Sequence, residues 1–139
     1  MKRSILACIV GLVTWLIVVS VINRVLRLSL PGYTAAEHTL QFTLAMKVAR
    51  LLMAAVTSAA AGAVARWISP SRWVPWIVGG IVLAMFLPVH IAIWGKLPVW
   101  YHLTFLLTIV PLVVLGARLS VERKKSVMAG IGHTASNGG

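Results

Sequence analysis

The chain has 139 residues, 60% of them hydrophobic and 11% charged, with a mean hydropathy of +0.95. A soluble domain carries about a quarter charged residues, so the composition excludes an ordinary water-soluble domain and points to a membrane protein. Thirteen Lys and Arg against two acids, Glu37 and Glu122, leave a net charge of +11. The basic residues sit mainly at the ends of apolar runs, which favours membrane lipids over nucleic acid as the partner.

The first apolar run is Ser4 to Ile22, preceded by Lys2 and Arg3. It is long enough to span roughly 30 Å of hydrocarbon. Cys8, the one cysteine, lies inside it; too few residues precede it for a lipoprotein signal, and the run is too long for a cleaved one. Ala7 and Gly11 form a small-xxx-small pair that lets another helix approach closely. Arg24 and Arg27 end the span, and Pro31-Gly32 stops the helix.

Thr34-Ala35-Ala36-Glu37 reads as a capping box, the Thr34 hydroxyl taking an amide of the first turn and Glu37 reaching back to the cap. One helix is expected from there to Trp67, crossing the membrane over about residues 43–67. At 1.5 Å per residue it measures on the order of 50 Å, longer than the bilayer core. Ala54, Ser58 and Gly62 recur every four residues and mark its packing face.

After the loop Ser69-Pro70-Ser71, the third span covers about 74–94, with Trp67, Trp73 and Trp76 as an aromatic belt at its entry. Gly95-Lys96-Leu97-Pro98 turns the chain into a fourth span, about 99–119. Pro88 and Pro111 each remove a helical hydrogen bond and free a carbonyl, those of Ala84 and Leu107. From Ser120 the chain is basic at Arg123-Lys124-Lys125 and ends in Gly, Ser, Asn and Thr, the composition of a disordered tail over 120–139. The expected fold is all-α: a four-transmembrane-helix up-down bundle over 1–119, its second helix longer than the bilayer core.

Orientation follows from the distribution of Lys and Arg. The N-terminus, second loop and tail hold Lys2, Arg3, Arg66, Arg72, Arg118, Arg123, Lys124 and Lys125; the other side holds Arg24, Arg27, Lys47, Arg50 and Lys96. The excess places both termini in the cytoplasm. Small size, short loops and basic cytoplasmic ends suggest the inner membrane of a bacterium.

The remaining polar residues gather in the outer half, so any site is expected there. His90 and His102 each lie six residues from Lys96, at similar depth in an antiparallel hairpin. With His38 they could supply three imidazoles for a zinc-like ion or copper, or as a pair hold a haem. The competing reading is that each is an interfacial histidine bonded to a head group or a carbonyl, such as the one freed by Pro88. No HxH or HxxxH spacing on one helix supports the metal set. Lys47 and Arg50 share a helix face; with Arg24 and Arg27 they could bind an anion or lipid phosphate, or they could be anchors snorkelling to the interface.

No carboxylate lies within a span, which argues against a proton-coupled transporter built on a membrane-embedded acid. No Gly-rich phosphate loop, Ser-His-Asp set or cysteine pair is present, and Glu37 next to His38 is accounted for by capping. The function expected is therefore non-enzymatic and without a cofactor: a small multi-pass membrane protein acting as an accessory or interaction subunit or a homo-oligomer. A metal- or haem-binding protein using His90 and His102, and a small transporter or anion-binding protein using Lys47 and Arg50, are the alternatives.

Overall fold

Nothing between Ile22 and Ser29 breaks a helix, and the first helix uses all of that stretch. In a computed structural model that describes residues 1–136, α1 runs Lys2–Ser29. It stops where Pro31-Gly32 requires, and Gly32 takes φ 77, a conformation that disfavours a Cβ.

The long second helix is instead two. A short α2 covers Tyr33–Thr39 and α3 covers Leu44–Ile68. Leu40 adopts a left-handed φ of 58 and breaks the run; Thr43 then caps α3, its side chain accepting from the Met46 amide. The capping box at Thr34 and Glu37 does not form, because Gly32 is the N-cap and no side chain caps α2. Burial explains the break. Folding α2 back puts Tyr33, Ala36 and Phe42 into one apolar cluster with Met46, Leu97 and Tyr101. Six such residues outweigh a left-handed leucine, which costs roughly 1–2 kcal/mol.

α4 spans Val74–Ala92, a 3₁₀ turn covers Trp94–Lys96, and α5 runs Val99–Ser136. α5 is helical past Leu119 as far as Ser136; residues 137–139 of the basic tail lie outside the described residues. Residues 120–129 contain neither Pro nor Gly, and extending a formed helix is far easier than starting one. Four helices, α1, α3, α4 and α5, are long and apolar enough to cross a membrane, and among the described residues there is no strand.

α3 lies at the centre because its face is small. Ala54, Ser58, Ala61, Gly62 and Ala65 are all buried. α5 approaches so closely that a Cβ on Gly62 would fall on the Val113 carbonyl, and one on Gly116 on the Ala59 carbonyl. On the α1 side Ala7, Gly11 and Trp15 are buried, and the Trp15 indole donates to Ser58 Oγ at 3.3 Å. Ser4 meets Ser69 at 3.4 Å at one end of this contact. Trp15, Phe86 and Phe105 then form a ladder of rings, at centroid separations of 5.0 and 5.3 Å, that leads to His90.

Candidate functional site

The two histidines of the α4–α5 hairpin meet. Their Nδ1 atoms are 2.8 Å apart, a direct imidazole–imidazole hydrogen bond, so His90 bonds to His102 through Nδ1. His90 is 4% exposed and His102 is fully buried. Trp94, from the 3₁₀ turn, stacks on His102 at 4.8 Å; Phe105 stacks on His90 at 4.4 Å. The other ring nitrogen of His102, Nε2, is buried with no hydrogen-bond partner among the described residues. Burying an unpaired N–H costs more than burying an unpaired lone pair. That assigns the His102 proton to Nδ1, donating to His90.

His38 does not join them: it lies exposed on α2. Among the described residues no three His, Cys, Asp or Glu side chains gather as metal ligands. The direct bond also closes the space between the rings. A tetrahedral ion bound by both nitrogens needs them roughly 3.3 Å apart, given metal–nitrogen distances of about 2.0–2.1 Å. Ligands on either side of a haem iron need still more. As built, the pair supplies two ligands that bind each other.

Beside this pair is a second, charged cluster centred on Arg50. Arg50 points inward: Nη1 donates to the Tyr33 hydroxyl at 3.0 Å, Nε to the Tyr101 hydroxyl at 3.3 Å, and the guanidinium lies 4.7 Å from the Phe42 centroid. It also reaches Glu37 at 3.6 Å. Glu37 is held more tightly by Arg27 at 2.7 Å and accepts from Asn23 at 3.1 Å. Tyr33 closes the circuit, its hydroxyl donating to Asn23 Oδ1 at 3.1 Å. α1, α2, α3 and α5 thus each contribute polar groups to one network. Tyr101 joins it to the histidines, its ring 6.1 Å from that of His90.

Of the basic residues singled out in the sequence, only Arg27 and Arg50 enter the network. Arg24 is exposed, and Lys47 is half-buried with no ion pair among the described residues. Lys47 and Arg50 therefore part company although they share a helix face. Asn23 is the member that sequence reasoning passed over; Tyr33 and Tyr101 fall in the outer polar group without an assigned role. The available signal was an asparagine at the edge of an apolar span, a costly residue there unless it has a partner.

Burial pushes the Tyr33 phenol above its ordinary value of 10.0; the Arg50 charge and hydrogen bond oppose this, while Glu37 and Tyr101 add to it. The folded state thus holds the Tyr33 proton more tightly than the unfolded chain does. The associated stability is complete below the unfolded value and is lost as pH rises through the raised one. The chain has two tyrosines, so alkaline titration of the wild type against Tyr33→Phe isolates this group. Its phenolate midpoint should lie above 10.0; a midpoint at or below it would show that Tyr33 is not enclosed as described.

No protein-family model, curated protein or solved structure matches the chain. The functional reading rests on its own geometry.

Proposed function

We propose that the chain is a small multi-pass integral membrane protein that acts by binding rather than catalysis, as an accessory or interaction subunit or as a homo-oligomer. It crosses a bacterial cytoplasmic membrane four times as an up-down bundle, with both termini on the cytoplasmic side. The observation that carries this reading is the mutual engagement of the polar groups beside the α4–α5 turn. Arg50, Tyr33, Asn23, Glu37 and Arg27 bond to one another, and His90 bonds to His102. A catalytic site needs groups free to meet a substrate within hydrogen-bond reach; here those groups tie the segment between α1 and α3 to the helices. Antiparallel placement of neighbouring spans is supported by the pairing of Ser4 with Ser69 and of His90 with His102.

The small-residue face of α3 is taken up inside the chain by α1 and α5. Partner contact therefore falls to the outward apolar faces. α1 offers the most, with 17% of its most apolar window buried against 39% for α3. Light scattering and native mass spectrometry of the protein in mild detergent should give a discrete species above the 15.0 kDa monomer, or a stoichiometric partner. A lone monomer in every detergent, with no partner retained, would refute the proposal. One metal or haem per chain, lost in the variant carrying His90→Ala and His102→Ala, would replace it with a metal- or haem-binding function.

A further inference from the structure

At the end opposite the α4–α5 turn, α3, α4 and α5 border a cavity of about 350 Å³ whose lining includes Arg66, Arg72, Pro75, Trp76, Arg118 and Glu122. It shares no residue with the histidine pair or the Arg50 network. Three guanidiniums face one carboxylate there. Arg66 uses one N–H to hold the Pro70 carbonyl, which leaves the rest of its fork unspent. Arg72 lies over the Trp73 ring at 5.5 Å. Arg118 and Glu122 are one turn apart on α5, on the same face. Neither Arg72 nor Arg118 makes an ion pair among the described residues.

The depth of this cavity is marked by tryptophans. Trp67, Trp73 and Trp76 are 80%, 64% and 49% exposed, and all three lie at this end. Exposed indoles collected at the ends of apolar helices sit at the level of lipid head groups. A basic pocket between helices at that level is suited to an anionic head group. Arginine is suited to the task because its planar fork takes two phosphate oxygens at once.

We infer that this cavity holds the phosphodiester head group of an anionic phospholipid, with Arg66, Arg72 and Arg118 on the phosphate oxygens. Glu122 faces the rest of the head group, where it accepts from a hydroxyl and repels a second phosphate. One phosphodiester does not neutralise three guanidiniums and one carboxylate, so the site selects a net-anionic lipid over a zwitterionic one. The inference rests on the membrane-spanning reading above, whereas the site itself is separate from the groups that carried that reading.

The test uses the full chain in mild detergent, titrated with phosphatidylglycerol or phosphatidylcholine of the same acyl chains and followed by native mass spectrometry. The wild type should bind phosphatidylglycerol at least about tenfold more tightly, two or three arginines at the head-group level being enough for this. The variant with Arg72→Gln and Arg118→Gln should bring the two lipids to within roughly twofold of each other. These two are exposed and can be replaced without disturbing the Arg66 contact that holds the loop. The paired change to Lys should keep part of the preference, and Arg24→Gln with Lys47→Gln, at the other end, should keep all of it. A wild type without preference, or a preference that survives the paired Gln change, overturns the inference. So does inorganic phosphate displacing the lipid and raising the melting midpoint as far as phosphatidylglycerol does, because the occupant is then a soluble anion. Liposome flotation separates the two readings. If the wild type does not stay with phosphatidylcholine liposomes, the membrane reading itself fails; if it stays but shows no lipid preference, only this inference fails.

Discussion

Replacing Gly62 or Gly116 by alanine should destabilise the protein by about 3 kcal/mol or more, at the top of the range for overpacked cores. The added Cβ on Gly62 would meet the Val113 carbonyl and the one on Gly116 the Ala59 carbonyl, in both cases backbone rather than a side chain that could swing away. α3 and α5 would have to separate along the contact that centres the fold. Gly80 supplies the control: it is also helical, but nothing lies within 4 Å of a Cβ placed there. Gly80→Ala should be neutral or stabilising by up to about 1 kcal/mol, from helix propensity alone. Thermal unfolding midpoints in one detergent compare the three. If Gly62→Ala and Gly116→Ala melt with Gly80→Ala, the close α3–α5 approach is wrong.

Arg50→Leu should have the second largest effect, about 2–4 kcal/mol. Removing one partner from a partly buried charged network leaves the others desolvated and unpaired. Here the Tyr101 hydroxyl loses its bond to Arg50, the Tyr33 hydroxyl is left with its bond to Asn23 alone, and Glu37 is weakened as well. The full penalty for a buried pair does not apply, because the Arg50 side chain retains 28% exposure. Arg50→Lys should recover little, since a compact ammonium cannot address both tyrosines and lie against Phe42 as the flat fork does. The loss should be local. Amides of α2 should exchange faster with solvent while those of α3 around Ser58 keep their protection, as expected where a small element is held by a few tertiary contacts. Uniform acceleration through α3 would mean that Arg50 supports the whole fold and not the α2 segment. Unchanged exchange in α2 would mean that the network does not hold it.

The starts of α4 and α5 were legible because their signals are local, whereas α4 ends at Ala92 and the chain enters the 3₁₀ turn at Trp94. Trp73-Val74-Pro75 opens one helix, and the Gly95 to Pro98 turn separates the two. The end of α1 was equally legible, since Pro31 cannot continue a helix and Gly32 takes a positive φ. The break between α2 and α3 was not. Leu40-Gln41-Phe42-Thr43 has no Pro or Gly, and helix propensity favours running through it. What interrupts the helix is the gain from burying Tyr33 and Phe42 against Tyr101 and Leu97, residues more than fifty positions away in the chain.

The histidines show the same division. Equal spacing from Lys96 placed His90 and His102 at one depth, and their burial beside Trp94 agrees with that. Whether they faced each other depended on helix rotation. Rotation is set by side-chain packing along the whole contact, from Gly79 against Val110 to Phe86 against Phe105. The sequence alone determined that the chain is helical and apolar in four stretches, because hydrophobic length and breaker residues act over a few neighbours. It also placed Ala54, Ser58 and Gly62 on a packing face, because small side chains have one common use there. Only the tertiary structure decided that this face is filled from within, that Arg50 turns inward while Lys47 does not, that Glu37 serves as a clamp rather than a cap, and that three arginines border one cavity at the far end. Each of these depends on which distant side chains a rotated helix meets, and that is a property of the packed chain as a whole.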